Sequence, residues 1–203
     1  MYSTIPGLIL GFHGCDQSVA DKVLNGKTFL ENSENNYDWL GHGIYFWENS
    51  PSRALEFAQH LKNNPQQSNR PIKKPAVIGA IINVGFCLDL LDYKNLQLLK
   101  EGYEVLKSSG FAAEIRQNKA VSGTKDLLLR YLDCAVIETL HTVRKISKEQ
   151  PFDSVRGVFW EGNKLYDTAG FREKNHIQIC IRNPNCIKGF FLPRQLDKRF
   201  VKV

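Results

Sequence analysis

The sequence predicts an α+β fold on three observations. Strand-like and helix-like segments come in batches rather than in strict alternation, which points away from a doubly wound sheet. No GxGxxG run opens a helix after a strand, so a Rossmann-type dinucleotide domain is not expected. Ala76 to Val84, AVIGAIINV, is β-branched and apolar almost throughout, as a central strand covered on both faces should be.

Gly7 to His13 reads as a buried first strand. The apolar start, Ile5 to Phe12, is short and lacks a basic leader, so it belongs to that strand rather than to a signal peptide. Asp16 caps a short helix with Val19, Val23 and Leu24 inward and Gly26 just past its end. Lys27 to Leu40 is a polar loop with Asn32, Asn35 and Asn36 as turn formers. Gly41 to Trp47 is a strand. Ser50 then caps a helix that starts at Pro51, runs to Leu61 and buries Ala54, Phe57 and Ala58. Asn63 to Lys74 is a mobile loop. Leu96, Leu99, Tyr103 and Leu106 recur at helical spacing up to Gly110. Thr124 caps a longer helix with Leu128, Tyr131, Leu132, Ala135, Val136 and Leu140 inward. Val158 to Trp160, His176 to Ile181 and Phe190 to Leu192 are late strands, with Glu161 to Asn175 a loop between the first two.

The chain has 203 residues, 42% of them hydrophobic, enough for a single domain over 1–203. No run is long and apolar enough to span a bilayer. The five cysteines are scattered without a CxxC pair, several of them in apolar runs. They read as reduced core thiols of a cytoplasmic protein, and no metal site is expected because ligand pairs at metal spacing are missing. A net charge of +6 favours polyanionic partners, although the clusters Arg70 to Lys74, Arg144-Lys145 and Arg194 to Lys202 suit a solvated surface better than a binding patch.

The richest segment is Tyr37 to Ala58, YDWLGHGIYFWENSPSRALEFA. Gly41 and Gly43 bracket His42, and the aromatics Tyr45, Phe46 and Trp47 follow. Glycines let a backbone lie close to a ligand, and aromatic rings offer faces for stacking. His42 itself receives no role. This segment resembles the Gly-x-Gly-x-Tyr-Phe strand and following helix of ADP-ribosyltransferases, closest to the poly(ADP-ribose) polymerase and diphtheria-toxin-like branch with its His, Tyr, Glu signature. Upstream, Gly11-Phe12-His13-Gly14-Cys15 resembles that family's first strand. Downstream, HIQICI at His176 to Ile181 falls where the third motif belongs.

The resemblance implies split mixed β-sheets with flanking helices around a cleft for NAD, which is consumed as substrate. It implies that His13 bonds the adenosine ribose, that the Gly14 backbone holds the nicotinamide amide, and that Tyr45 stacks on the nicotinamide, with Phe46 beside it. Phe57, or its neighbourhood on the helix, closes the ring's other face. The family's third residue is a Glu that opens the late strand, and this strand has no carboxylate. Alternation puts His176, Gln178 and Cys180 on one face, against Ile177, Ile179 and Ile181 on the other. Gln178 is the first choice for the third role and His176 the alternative if the register slips by two. Glu161, on the loop that in the family helps choose the acceptor along with Tyr166, Asp167 and Arg172, is a candidate for the missing carboxylate.

The expected activity is transfer of one ADP-ribose from NAD to RNA, DNA or protein, with the positive charge tilting slightly towards nucleic acid and RNA slightly favoured. A compact toxin-type domain of this kind implies an antitoxin protein as a possible partner. Trp39 can stack on a base or pack under its loop. An inactive NAD-binding module and an NAD glycohydrolase are the alternatives.

Overall fold

The computed structural model describes residues 7–68, 70–110, 114–121, 125–194 and 199. Its strands are β1 (Ile9–Asp16), β2 (Ile44–Glu48), β3 (Pro75–Ile82), β4 (Cys87–Asp89), β5 (Ser154–Phe159), β6 (His176–Ile181) and β7 (Ile187–Phe191). The helices are α1 (Gln17–Leu24), α2 (Pro51–Asn63), α3 (Tyr93–Ser108) and α4 (Tyr131–Ile146). The seven strands form one mixed sheet in the order β4-β5-β6-β2-β1-β3-β7. Only β4 and β5 run parallel. This is the α+β class expected. The apolar strand β3 is not central: it lies between β1 and β7, one place from the edge, and is apolar because both its faces are covered.

Alternating side chains divide the core between the two faces. On one face Ile44, Phe46, Ile78, Ile82, Ile179 and Ile181 pack with Ala20 and Val23 of α1. On the other, α2 presses Ala54 against Phe12 and Trp47, while Ile137 and Leu140 of α4 cover Leu88, Val155 and Cys180. Helix α3 contributes Leu98 and Leu99 to the rim of that cluster.

The helix ends show which local signals act. Asp16 caps α1, its Oδ1 accepting from the Ser18 amide at 3.0 Å. Its Oδ2 accepts from the amides of Lys73 and Lys74 at 2.8 and 2.9 Å. These bonds, that from Lys74 foremost, hold the Asp16 carboxyl well below its ordinary range. Segment 70–74 is thereby fastened to the end of β1. Ser50 precedes α2 but makes no side-chain cap bond, so Pro51 alone marks that start. Thr124 lies outside the described residues. Helix α4 starts at Tyr131, and its first amides are met by a remote side chain: Asn118 Oδ1 accepts from Leu132 and Asp133 at 2.9 and 3.3 Å.

The feature that positions the candidate site is the junction of β1 and β2. β1 is registered with β3 from Ile9 to Asp16, but with β2 only at Gly11↔Glu48 and Phe12↔Trp47. Beyond Phe12 the two strands part. The seven strands are thus one sheet rather than two, narrowly joined at β1/β2 and opening into a split at the end that carries His13, Gly14, Ile44 and Tyr45.

Candidate functional site

His13 bridges the split. Its Nδ1 donates to the Tyr45 carbonyl at 2.8 Å, where a continued ladder would have placed a backbone amide. Because a carbonyl only accepts, Nδ1 carries the proton, and in the neutral ring Nε2 is left as an acceptor. Burial lowers the His13 pKa, which favours that neutral form. The Leu10 carbonyl accepts from Asn49 on the β2 side, so alternation turns the Gly14 peptide groups to the same side, where the ladder has ended. On the sheet face, a Cβ at Gly14 would collide with the Ala54 carbonyl of α2, so glycine is what lets the helix lie on the strand. His13 and Gly14 therefore sit on β1 and Tyr45 on β2, brought together at one opening.

Gly41 and Gly43 serve a different purpose from the ligand approach expected of them. Gly41 has φ +76°, and a Cβ there would come within 2.5 Å of Glu138 Oε1 and 2.7 Å of Ile137. A Cβ at Gly43 would meet Cys180 Sγ at 2.6 Å. The close approach is to α4 and β6. Glu138 Oε1 accepts from the His42 amide at 2.9 Å, and Arg182 pairs with Glu138 and donates to the His42 carbonyl at 3.0 Å. The Tyr45 hydroxyl completes this clasp, donating to the Gly41 carbonyl at 2.7 Å and accepting from the Leu40 amide at 3.0 Å. Burial raises the Tyr45 pKa, and its ring packs against the cluster that contains Leu40 and Cys180. Phe46 points to the other face and is fully buried, 5.8 Å from the His13 ring, so it supports the imidazole and leaves no surface for a ligand. Phe57 stands on α2 with its ring 5.0 Å from Trp47.

The third position is neutral. Gln178 lies in β6 opposite Trp47 of β2 and Gly157 of β5. Its Oε1 accepts from Trp39 Nε1 at 2.6 Å, which fixes the amide with its NH2 as the remaining donor. Gly157 makes room for that indole, since a Cβ there would lie 2.8 Å from the Trp39 ring. Trp39 therefore packs under its loop. His176 opens β6, stacks on Phe159 at 5.5 Å and donates from Nδ1 to the Lys174 carbonyl at 2.6 Å; burial lowers its pKa. Glu161 is mostly buried and ion-paired with Arg53 of α2, and its second oxygen lies 3.6 Å from Lys174 Nζ. Its charge is thus already balanced. Arg53, which sequence reasoning passed over, signals itself only by its spacing from Glu56, the partner it meets at 2.6 Å. On the loop that carries Glu161, Tyr166 is exposed and Arg172 pairs with Asp126 at 2.7 Å.

A separate groove of about 530 Å³ runs between α3, α4 and β5, lined by Leu99, Tyr103, Val136 and Val158, with Trp39 at its floor. It includes neither His13 nor Gly14, and Lys100, Arg130 and Asp133 join its apolar lining. No group of three His, Cys, Asp or Glu side chains among the described residues is placed to hold a metal. No helix among them is long and apolar enough to cross a membrane.

Comparison with known proteins finds an uncharacterized protein of Methanocaldococcus jannaschii, 26% identical over 207 aligned positions covering 92% of this chain and 89% of that one. No protein-family model matches the chain. No solved structure matches it.

Proposed function

We propose that the chain is an NAD-dependent mono-ADP-ribosyltransferase that holds NAD in the split between β1 and β2. The observation that carries this reading is the opened ladder, which puts the imidazole of His13, the peptide of Gly14 and the aromatic residue Tyr45 around one gap. In this reading His13 Nε2 accepts from a hydroxyl of the adenosine ribose. The Gly14 peptide bonds the nicotinamide carboxamide, and the Tyr45 ring stands beside the nicotinamide as a fixed wall. Phe57 of α2, whose ring packs on Trp47, closes the other side of the nicotinamide ring. The glycosidic C–N bond breaks, nicotinamide leaves with the bonding electrons, and an acceptor nucleophile takes the ADP-ribosyl carbon.

The Gln178 NH2, oriented by Trp39, bonds the nicotinamide ribose hydroxyl. Gln178 is preferred over Glu161 because the Glu161 carboxylate is spent on Arg53 and Lys174. His176 stays a supporting ring. A neutral third group supplies no charge to the oxocarbenium-like transition state. In the resembled family chain elongation depends on the Glu that Gln178 replaces, so single transfer is favoured over it. The acceptor is a macromolecule, with RNA first and DNA or protein next, and an antitoxin protein is the expected neutralising partner.

The test is incubation with NAD labelled in its ADP-ribose, in the presence of RNA, DNA and cell protein separately, with nicotinamide release followed in parallel. Label in one pool that disappears in His13→Ala supports the reading and names the acceptor. Nicotinamide release without label selects hydrolysis. NAD binding with no release selects an inactive binding module, a reading that the neutral, Trp39-bound Gln178 favours.

A further inference from the structure

Two surface segments face one another across the mouth of the split. Segment 70–74 belongs to the β1 side, because Asp16 binds the amides of Lys73 and Lys74 and the Gln17 amide donates to the Lys74 carbonyl at 2.8 Å. The segment around Glu31 belongs to the β2 side, because Ser33 and Gly43 exchange backbone hydrogen bonds at 2.8 and 3.0 Å immediately before β2. One ion pair joins them: Arg70 Nη2 lies 2.7 Å from Glu31 Oε2. The two side chains are 64% and 72% exposed, so water and salt screen the pair and it contributes little to stability.

The Arg70 backbone bonds locally to Ser68. Its amide donates to Ser68 Oγ at 3.1 Å, and that hydroxyl donates back to its carbonyl at 2.9 Å. A weakly held guanidinium next to the anchored 73–74 stretch can exchange one anion for another. Arg70 is also near enough to His13 for its charge to help disfavour protonation of the imidazole. A guanidinium presents paired donors matched to phosphate oxygens.

We propose that Arg70 binds the diphosphate of the dinucleotide at the mouth of the split, and that Glu31 is the internal anion which the diphosphate displaces. This rests on the reading of the split as an NAD site, with His13 at the adenosine ribose, because the diphosphate is attached to that sugar. The Arg70–Glu31 pair closes the empty mouth, and the ligand's phosphates open it by taking the guanidinium.

Calorimetric titration of adenosine, ADP and NAD into the wild type, Arg70→Ala and Glu31→Gln tests this. Arg70→Ala is expected to weaken ADP and NAD by about tenfold, the loss of one charge-assisted bidentate contact, while leaving adenosine unchanged. Glu31→Gln is expected to tighten ADP and NAD by about twofold to threefold, since it removes a competing anion. Both effects shrink as salt is raised. ADP affinity unchanged in Arg70→Ala overturns the proposal, and so does an equal loss for adenosine and ADP, which marks a structural role. A wild type that binds none of the three overturns the NAD reading itself, and the Arg70 assignment with it.

Discussion

Replacing Tyr45 with Phe removes one oxygen and separates the two jobs that residue can have. The hydroxyl is bonded twice, to the Gly41 carbonyl and the Leu40 amide, in a place where Leu40 is fully buried. Taking it away leaves the buried Leu40 amide without a partner and the Gly41 carbonyl with only the Cys180 thiol at 3.5 Å, at a cost of about 2 kcal/mol. At roughly 2.1 cal/mol/K of unfolding entropy per residue, a chain of 203 residues loses about 5 °C of Tm for that cost. The ring remains, so NAD affinity measured well below the Tm should stay within about twofold of wild type, because stacking needs the ring face rather than the oxygen. Differential scanning calorimetry gives the first number and a binding titration at low temperature the second. A Tm within about 1 °C of wild type refutes the clasp as a source of stability. A large loss of affinity at an unchanged Tm assigns the hydroxyl itself to the ligand.

Three further outcomes follow from the same geometry. Arg156 of β5 reaches Glu48 of β2 at 2.6 Å and Asp89 of β4 at 3.2 Å, so Arg156→Met strands two mostly buried carboxylates and should cost about 3 kcal/mol in urea unfolding at pH 7; a loss below about 1 kcal/mol counts against it. Burial lowers the pKa values of His13, His141 and His176 from the ordinary 6.5, in His141 to about 4. The folded chain therefore binds fewer protons than the unfolded one. The resulting stability is whole above pH 6.5 and lost on acidification towards about 4, so the urea midpoint should fall between pH 7.5 and pH 5, and a flat profile is the contrary result. Gln178→Ala should lower turnover with NAD binding retained, whereas Glu161→Ala, by leaving Arg53 with Glu56 alone, should chiefly lower the Tm; activity abolished only in Glu161→Ala at an unchanged Tm would reverse the two roles.

Elements whose signals are local were readable from the sequence. Asp16 and Gly26 bracket α1, and the alternation of HIQICI gives β6 its bounds and puts Gln178 opposite the isoleucine face. What was missed depends on distant residues. Helix α4 takes its N-terminal bonds from Asn118, so nothing beside Tyr131 marks its start. Strand β4 is three residues held in parallel with β5, too short for any periodicity. β5 begins at Ser154 rather than Val158 because Arg156 and Gly157, which break its apolar run, are satisfied by Glu48 and by the Trp39 ring. At the candidate site, His13, Gly14 and Tyr45 were legible from their motifs. The packing of Gly41 against Glu138, the burial of Phe46 and the pairing of Arg70 with Glu31 were not, because each depends on which segments the fold brings together.

The most direct test of the split as the ligand site is calorimetric titration of NAD into the wild-type chain and into His13→Ala, with circular dichroism to confirm that both are folded. Saturable one-to-one binding that falls by about tenfold or more in His13→Ala is the result this account predicts. Equal affinity in the two folded proteins, or no binding to the wild type, contradicts it.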